Sequence, residues 1–503
     1  MKTNKRILSI IIVMMVTFLT RGLGFAREML VAYKFGASSF SDAFITSLTI
    51  PDILVNGFGV SICTMYIPLF IKCEKEDYDI AKKFNSTISV LLLGLALFFI
   101  FIFEFFPSFM LKLFASGFSD ESLGYAISLS RIMIFSSVPI LLAQQYKAFF
   151  QVKDKYSIAI ILSAVINIFI ILGIVVSTPE TSYILAILSL FGNLLYFLIM
   201  LIISFKLGFR YSKNISFKNM YIKRMFVGIG PIILANLVNE LNQVIDRNFA
   251  SNLGVGSVSY INYSSKIVYL ILAMIGLAIS GFYYPKLVSD DCEERNTLII
   301  NLNSMISLIV VPITIFVFIF AKSIVSVLFE HGNFGNVEVE YTSSCLRFYC
   351  LAIFSYNINA IWVSIFNSEL DTIKPGIISL FVLVLNIILN FVLMKYLQND
   401  GLALATSISI LIADILLITL YKQKHKNFNL KRMLFEFLKI VIASFIFLLL
   451  LIPYYYLNFG VFINFVLYII SFFLIFIIYI FILICFKSEL IINVINKRGE
   501  KNG

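Results

Sequence analysis

The chain has 503 residues, of which 60% are hydrophobic and only 13% are charged, and its mean hydropathy is +0.96. This composition excludes a soluble globular protein and predicts a polytopic membrane protein. The formal net charge is +11, but the basic residues concentrate in short segments between apolar runs. The charge therefore reports membrane topology, and we expect no nucleic-acid partner.

Fourteen apolar runs are long enough to cross a bilayer as helices. In chain order they cover 7–33, 41–71, 85–110, 124–146, 156–177, 182–205, 225–251, 257–285, 298–328, 340–367, 375–396, 401–421, 433–457 and 461–486. If the N-terminus lies in the cytoplasm, the cytoplasmic segments hold 28 of the 39 Lys and Arg residues and the opposite segments hold three. The positive-inside rule then places both termini in the cytoplasm.

An internal repeat predicts two lobes. Residues 32–36 align with 250–254 at an offset of 218, and Asp154 aligns with Asp371 at an offset of 217. These offsets predict a six-helix duplication about a pseudo-two-fold axis along the membrane normal, followed by a C-terminal helix pair. The predicted division is an N-terminal six-helix lobe at 1–208, a basic cytoplasmic linker at 209–224, a C-terminal six-helix lobe at 225–424, and two additional transmembrane helices with a cytoplasmic tail at 425–503.

The seventh apolar run contains polar side chains at helical spacing. They are Asn236, Asn239, Glu240, Gln243, Asp246 and Arg247, and on a period of 3.6 residues they share one face. Inside a bilayer such a face must meet water or another helix, so it is predicted to line a cleft between the lobes. The alternative is a set of hydrogen bonds that hold neighbouring helices together.

The first two apolar runs contain ionisable residues at positions where a charge is costly unless it faces a polar interior. Arg21 and Glu28 share a helix face, Arg27 points elsewhere, and Asp42 follows in the second run. A guanidinium presents a fork of donors that matches phosphate. Together with Lys266 in the eighth run, the two arginines predict an anion-binding cleft in which Asp42 orients the cations. Internal salt bridges without a ligand are the alternative.

A third group of polar residues lies in the eleventh and twelfth runs. Asn386 and Asn390 share a face, and Thr406 adds a hydroxyl from the next run. Amide and hydroxyl oxygens are suitable ligands for a small hard cation, particularly together with Asp246. Interhelical packing is the default alternative.

Several short motifs extend along the chain, namely TRGLGFARE at 20–28, FGA at 35–37, DAF at 42–44, LFEHGNF at 328–334, DTIKP at 371–375 and GLALATSIS at 401–409. In combination they resemble the MurJ (MviN) family of lipid II flippases. That family belongs to the multidrug, oligosaccharidyl-lipid and polysaccharide exporter superfamily. The resemblance covers essentially the whole chain, and fourteen helices suit this branch of the superfamily.

The resemblance implies a transporter, not an enzyme, that moves lipid II from the inner to the outer leaflet by alternating access during cell-wall synthesis. It also implies a monomer in the bacterial cytoplasmic membrane, with a lipid-linked glycan as substrate and with membrane lipids and cell-wall synthesis proteins as partners. Sodium or the membrane potential would supply the driving force, without any other cofactor. The family's substrate-binding residues correspond to Arg21, Arg27, Asp42 and Lys266, and its sodium ligands correspond to Asp246, Asn386, Asn390 and Thr406.

The chain departs from the family pattern after Pro51. The family commonly has an arginine pair and then an acidic residue where this chain has Val55, Asn56 and Val60. This lower density of cations leaves two alternatives to lipid II transport. One is a flippase for another polyprenyl-linked glycan, such as an exopolysaccharide or capsule unit. The other is a cation-coupled drug exporter, which would need an acidic, aromatic-lined pocket instead of deep arginines.

Overall fold

Helices make up all the secondary structure in the part of the chain that the structure describes. This structure is a computed structural model that covers residues 2–287, 292–369, 371–456, 459–486 and 488. Within these ranges it describes no side chains at 2–16, 18, 231, 235, 239, 273–274, 276–286 and 292–293. The all-α class predicted from composition is confirmed.

The chain forms two compact units, and the first contains the described residues up to Ser259 together with Gly332–Phe334. Its helices are α1 (Lys2–Phe35), α2 (Ser39–Ile53), α3 (Val60–Glu76), α4 (Tyr78–Phe105), α5 (Pro107–Phe114), α6 (Asp120–Met133), α7 (Ser137–Val152), α8 (Tyr156–Val176), α9 (Ser182–Lys206) and α10 (Met220–Ser251). A π-helical turn, Leu54–Gly59, joins α2 to α3.

The second unit contains the remaining described residues. Its helices are α11 (Ser257–Leu287), whose first turn belongs to the first unit, α12 (Cys292–Phe329), α13 (Asn336–Ser368), α14 (Ile373–Lys424), α15 (Leu430–Tyr455) and α16 (Val461–Cys485). The predicted division into two six-helix lobes, a linker and a terminal pair stays a prediction.

Ten helical segments among the described residues are long and apolar enough to span a membrane, or eleven if the bent α10 counts as one span. This confirms a polytopic membrane protein but not the predicted count of fourteen. One reason is visible in α14, which counts once although its backbone breaks at Gln398, where φ is 50°. Asn386 donates to Thr406 across this break at 3.3 Å, whereas residues twenty apart in a straight helix would be about 30 Å apart. The helix therefore folds back on itself between the predicted runs 375–396 and 401–421.

The core of the first unit is aromatic. Tyr66 of α3 is fully buried and stacks on Phe70 and Phe84, with ring centroids 5.2 and 5.6 Å apart. Its hydroxyl donates to Asn85 at 2.6 Å, as a buried phenol requires. The Asn85 amide in turn donates to the carbonyl of Arg210 at 3.2 Å. The basic segment after α9 is thus held along the start of α4.

The end of α1 is held by a close backbone approach. Gly36 and Gly332 both have a φ of +63°, a conformation that other residues rarely adopt. A Cβ at Gly332 would lie 2.2 Å from the carbonyl oxygen of Tyr33, and the N–H of Asn333 donates to that same oxygen at 2.8 Å. This contact explains why residues 332–334 belong to the first unit although their flanking helices belong to the second.

In the second unit, a polar cluster joins the ends of three helices outside the apolar segments. The Glu369 carboxylate accepts from Lys424 at 2.7 Å, and it pairs with Arg295 at 3.2 Å and with His425 at 2.9 Å. Burial opposes ionisation of this carboxyl, but the hydrogen bonds from Lys424 and His425 and the nearby positive charges outweigh it. The pKa of Glu369 is consequently lowered from its ordinary value, so this carboxylate stays ionised and its contacts hold α12, α13 and α14 together.

Candidate functional site

Arg27 and Glu28 form an ion pair inside the first unit. The Nη2 atom of Arg27 donates to Oε1 of Glu28 at 2.6 Å, and its Nη1 atom donates to Oδ1 of Asn167 on α8 at 3.5 Å. The side chains of Arg27 and Glu28 are 18% and 4% exposed. The internal salt bridge that the sequence left open as an alternative is therefore present for Arg27.

The ion pair leaves part of the guanidinium unused. The Nε atom of Arg27 is buried and has no hydrogen-bond partner among the described residues. An unsatisfied buried donor is costly, and it commonly marks a site completed by a ligand or water. Arg27 can therefore donate from Nε to an additional anion while its Nη2 atom stays paired with Glu28.

Arg21 lies two turns earlier on α1. Its side chain is exposed, and it forms no ion pair with any residue that the structure describes. It is thus a cation without a fixed partner in the first unit, which agrees with either substrate contact or simple solvation. Lys266 is half-buried on α11, in the second unit. The predicted grouping of Arg21, Arg27, Asp42 and Lys266 stays a prediction.

Asp42 caps a helix that is distant in sequence. Its Oδ2 atom accepts from the N–H of Gly256 at 2.7 Å, and its Oδ1 atom accepts from the N–H and the hydroxyl of Ser259 at 2.8 and 2.6 Å. These N–H groups belong to the start of α11, which has unsatisfied donors and a partial positive charge. Asp42 is 2% exposed, and both of its oxygens are occupied. The structure thus gives this carboxylate a helix-capping contact instead of contacts with the predicted cations.

The polar face of α10 is used in part for packing. Asn236 donates to the hydroxyl of Ser61 on α3 at 2.9 Å, and Arg247 donates to the hydroxyl of Thr49 on α2. These two contacts match the alternative of interhelical hydrogen bonds. Asp246 is 5% exposed.

Three further residues complete the predicted face of α10. Glu240 and Gln243 are half-buried, and the side chain of Asn239 lies outside the described residues. The prediction that the face of α10 lines a cleft stays a prediction.

The departure from the family pattern falls on the π-helical turn. Val55 and Asn56 both lie within Leu54–Gly59, and Asn56 is exposed. The next residue, Gly57, packs closely against α10, since a Cβ there would lie 2.4 Å from the end of the Leu237 side chain, which would have to move. Turns of this type are rare and occur frequently at functional sites, so the two substituted positions lie on a distinctive element of the backbone.

Asn386, Asn390 and Thr406 come together across the fold in α14. Asn386 donates to Thr406, and Asn390 donates to Oδ1 of Asn386 at 2.9 Å. Both asparagines are fully buried and Thr406 is 4% exposed. The predicted proximity is confirmed for these three residues, whereas Asp246 belongs to the first unit. Their use as sodium ligands stays a prediction.

Sequence reasoning missed the capping role of Asp42. The sequence contains one sign of it at the start of α11. The residue before this helix is Gly256, which has no side chain that could accept hydrogen bonds from the first turn. A helix start without its own cap needs an acceptor from elsewhere. Sequence alone could not show which acidic residue supplies it.

Comparison with known proteins identifies relatives along most of the chain. A family model described as "Lipid II flippase MurJ" matches residues 31–473. A probable lipid II flippase MurJ from Buchnera aphidicola subsp. Schizaphis graminum is 29% identical over 463 residues, which cover 88% of this chain and 90% of the relative. The lipid II flippase MurJ of Burkholderia cenocepacia is 25% identical over 417 residues, covering 80% and 81%.

Solved structures show the same relationship at the level of the fold. The structure described as "Lipid II flippase MurJ, inward closed conformation" matches with a TM-score of 0.83 and 25% identity, over 93% of this chain and 98% of that chain. An inward-facing multidrug resistance MATE family transporter of the MOP superfamily matches with a TM-score of 0.65 at 15% identity, over 82% and 97%. The second match shows a shared fold alone.

The capping contact of Asp42 predicts a specific loss of stability. In Asp42→Asn an N–H2 group replaces one acceptor and faces a backbone N–H, so we expect the variant to unfold more easily by about 1–3 kcal/mol. Thermal unfolding of the purified protein in detergent measures this change. Asp120→Asn, an exposed acid at the start of α6, is the control and should change stability by about 0.5 kcal/mol or less. Equal shifts in the two variants would contradict the capping role.

Proposed function

This chain belongs to the MurJ family of lipid II flippases, and from that premise we propose that it moves lipid II from the inner to the outer leaflet by alternating access. Lipid II is the undecaprenyl-pyrophosphate-linked precursor of peptidoglycan, so the activity serves cell-wall synthesis and cell shape. The observation that supports this proposal most directly is the family match over residues 31–473. The proposal makes the protein a transporter and not an enzyme.

Arg27 is the residue to which we assign the pyrophosphate. Its buried guanidinium keeps an unpartnered Nε donor while Glu28 orients the Nη2 side. A hydrogen bond to a charged group contributes about 1.5–3 kcal/mol. Arg21, which is exposed on the same helix, supplies a second cation, and Lys266 stays the third member of the proposed set. Asp42 contributes indirectly, because it fixes the start of the helix that contains Lys266.

The membrane potential is a sufficient driving force for such a substrate. Moving one elementary charge across 100 mV changes the free energy by about 2.3 kcal/mol. Moving a pyrophosphate with two negative charges out of an inside-negative cell would therefore be favourable by roughly 4.6 kcal/mol at 100 mV. That gain exceeds the ~1–3 kcal/mol typical of coupling between two sites. Transport in this direction needs no second energy source.

We also propose the setting in which the protein works. It lies in the bacterial cytoplasmic membrane with both termini in the cytoplasm, as the distribution of Lys and Arg predicts. It acts as a monomer, with membrane lipids around it and cell-wall synthesis proteins as partners. Labelling of cysteines introduced at the two ends, in intact and opened cells, tests the topology.

A sodium site is the second element of this proposal. The side chains of Asn386, Asn390 and Thr406 are buried within the second unit, where the amide of Asn386 donates to Thr406 and the amide of Asn390 donates to Asn386. Neutral amide and hydroxyl oxygens suit a small hard cation, so these side chains would fit a sodium ion when the two amides turn their oxygens towards it. Asp246, the fourth residue of the predicted set, lies on α10 and stays a prediction. Bound sodium would supply a positive charge that favours one conformation of these helices.

If sodium binds at this site, the unfolding temperature of the protein should differ between sodium and potassium salts. We expect the protein to unfold at a higher temperature in sodium chloride than in potassium chloride of equal concentration, because a ligand at 100 times its Kd adds about 2.7 kcal/mol. Thr406→Val should remove this increment. Ser407→Ala is the matched control, since its hydroxyl donates to the Phe348 carbonyl instead. The same sodium response in all three proteins would contradict the assignment.

The Arg27–Glu28 pair predicts how two variants should differ in cells depleted of their own lipid II flippase. Replacing Arg27 alone would remove the guanidinium that pairs with the buried Glu28 carboxylate, a change that commonly destabilises a protein. The double variant Arg27→Gln with Glu28→Gln removes both charges together. We expect it to reach the membrane at normal levels and to fail to support growth. Glu28→Gln alone keeps the guanidinium and should support growth at least in part.

Two outcomes would contradict the role of Arg27. Normal growth with the double variant would show that the guanidinium is not needed for transport. Failure of Glu28→Gln as complete as that of the double variant, at equal protein levels, would show that the pair acts as a structural unit. If the unaltered protein reaches the membrane at normal levels and still does not support growth, another polyprenyl-linked glycan becomes the proposed substrate, in agreement with Val55 and Asn56 at the positions of the family's arginine pair. The lipid-linked glycan that accumulates when the protein is removed from its own cells identifies that substrate.

A further inference from the structure

A carboxyl group in the second unit lacks any compensating charge. Asp414 lies in the part of α14 that follows the break at Gln398, within an apolar helical segment, and is 3% exposed. Its Oδ1 atom accepts from Nδ2 of Asn359 on α13 at 3.0 Å. Its Oδ2 atom is buried and makes no hydrogen bond with any residue that the structure describes. A carboxylate anion in such a place costs several kcal/mol.

Other buried acids in this protein are compensated in ways that Asp414 is not. Glu28 pairs with Arg27 at 2.6 Å, and Glu436, which is 1% exposed, pairs with Lys439 at 2.6 Å. Asp42 accepts three hydrogen bonds at the positive end of a helix. For Asp414, a single neutral amide is the only partner with normal hydrogen-bond geometry among the described residues.

Among the described residues, the groups that act on Asp414 are neutral. Helix α13 packs against α14, and it presents Asn359 and Ser355 to the carboxyl. Arg347 on α13 and Lys422 on α14 lie eight residues from Ser355 and Asp414, which is about 12 Å along a helix axis. Lys374, on the first half of α14, pairs with Asp371 at 2.9 Å.

Two tyrosines near this level of the helices are also occupied elsewhere. The hydroxyl of Tyr356 lies 3.5 Å from that of Tyr269, and the hydroxyl of Tyr421 donates to Asn296 at 3.3 Å. Neither provides the carboxyl with a charge.

The hydroxyl of Ser355 completes the geometry. Ser355 lies one turn before Asn359 on the same face of α13, beside the Asp414 carboxyl. It is 1% exposed, and its Oγ atom also has no hydrogen-bond partner among the described residues. The Ser355 hydroxyl can donate to a carboxylate at Oδ2, but two neutral donors do not offset the cost of an anion inside an apolar segment. A proton on Oδ2 that is donated to Oγ of Ser355 removes the charge and satisfies both atoms.

We propose that Asp414 is a proton-binding site of the second unit. The proton resides on Oδ2 and is shared with Ser355, while Asn359 holds Oδ1. A metal ion fits less well, because the carboxyl and the Ser355 hydroxyl supply few oxygen ligands. A rearrangement of α13 against α14 that admits water would stabilise the anion and release the proton. Occupancy of the site is therefore linked to the packing of this helix pair.

Infrared spectroscopy of the full-length protein in lipid vesicles tests the site, because a protonated carboxyl has a distinct C=O stretching band that shifts on exchange into heavy water. At neutral pH we expect this band in the unaltered protein and its loss in Asp414→Asn. The amide is close in shape to the neutral acid, so this variant should fold normally. Glu436→Gln removes an ion-paired carboxylate and should leave the band unchanged.

Three results would overturn the proposal. The first is a band of equal strength in the unaltered protein and in folded Asp414→Asn. The second is the absence of any such band at neutral pH in the unaltered protein. The third is loss of the band when sodium replaces potassium at constant pH in Thr406→Val, which lacks the proposed sodium site, since this would identify a cation site at Asp414 itself. Should Asp414→Asn fail to fold, carbodiimide labelling of the Thr406→Val protein decides the matter: labelling at Asp414 that declines at alkaline pH supports the proposal, and labelling that sodium prevents at constant pH overturns it.

Discussion

The ion pair between Arg27 and Glu28 is the contact on which the proposed substrate site depends. Glu28 offsets the cost of a guanidinium inside an apolar bundle, and it does so through one side of that group. The remaining Nε donor is left for a ligand. A salt bridge and a binding site are therefore not exclusive interpretations here. The Glu28 carboxylate stabilises the buried Arg27 cation and also fixes the direction from which an anion can approach it.

The same electrostatic constraint explains three different arrangements of buried acids. Glu28 is neutralised by a side chain, Asp42 by the N-terminal turn of α11, and Asp414 by neither. Because a lone charge in hydrocarbon is strongly unfavourable, each arrangement has a different consequence. The first orients a cation, the second fixes the start of a helix, and the third binds a proton. Since Asp42 and Asp414 act on different helices, their effects on function should be separable.

Sequence alone predicted the class of the protein and much of its helical pattern. Composition was sufficient for a polytopic all-α fold, and the polar residues around 398–400 correctly separated the two runs that the structure joins at Gln398. The proximity of Asn386, Asn390 and Thr406 also followed from helical periodicity and a short turn. These features depend on local order along the chain.

What sequence could not predict depends on contacts between distant segments. Arg27 pairs with its neighbour Glu28, although adjacent residues on a helix do not normally face each other and the helical period placed Arg27 on a different face from Glu28. Asn236 and Arg247 lie on the predicted face of α10, but only the fold shows that they donate to Ser61 and Thr49. The acceptor for the first turn of α11 lies more than two hundred residues earlier in the chain.

Transport by the purified protein in lipid vesicles measures directly whether it moves lipid II across a membrane. Lipid II that starts in the inner leaflet is detected when it reaches the outer leaflet, where a reagent that cannot cross the membrane modifies it. With a potential that is negative on the inside, we expect lipid II to become accessible faster in vesicles that contain the protein than in protein-free vesicles. Equal rates with and without the protein, in vesicles where it is correctly folded, would show that it does not transport lipid II.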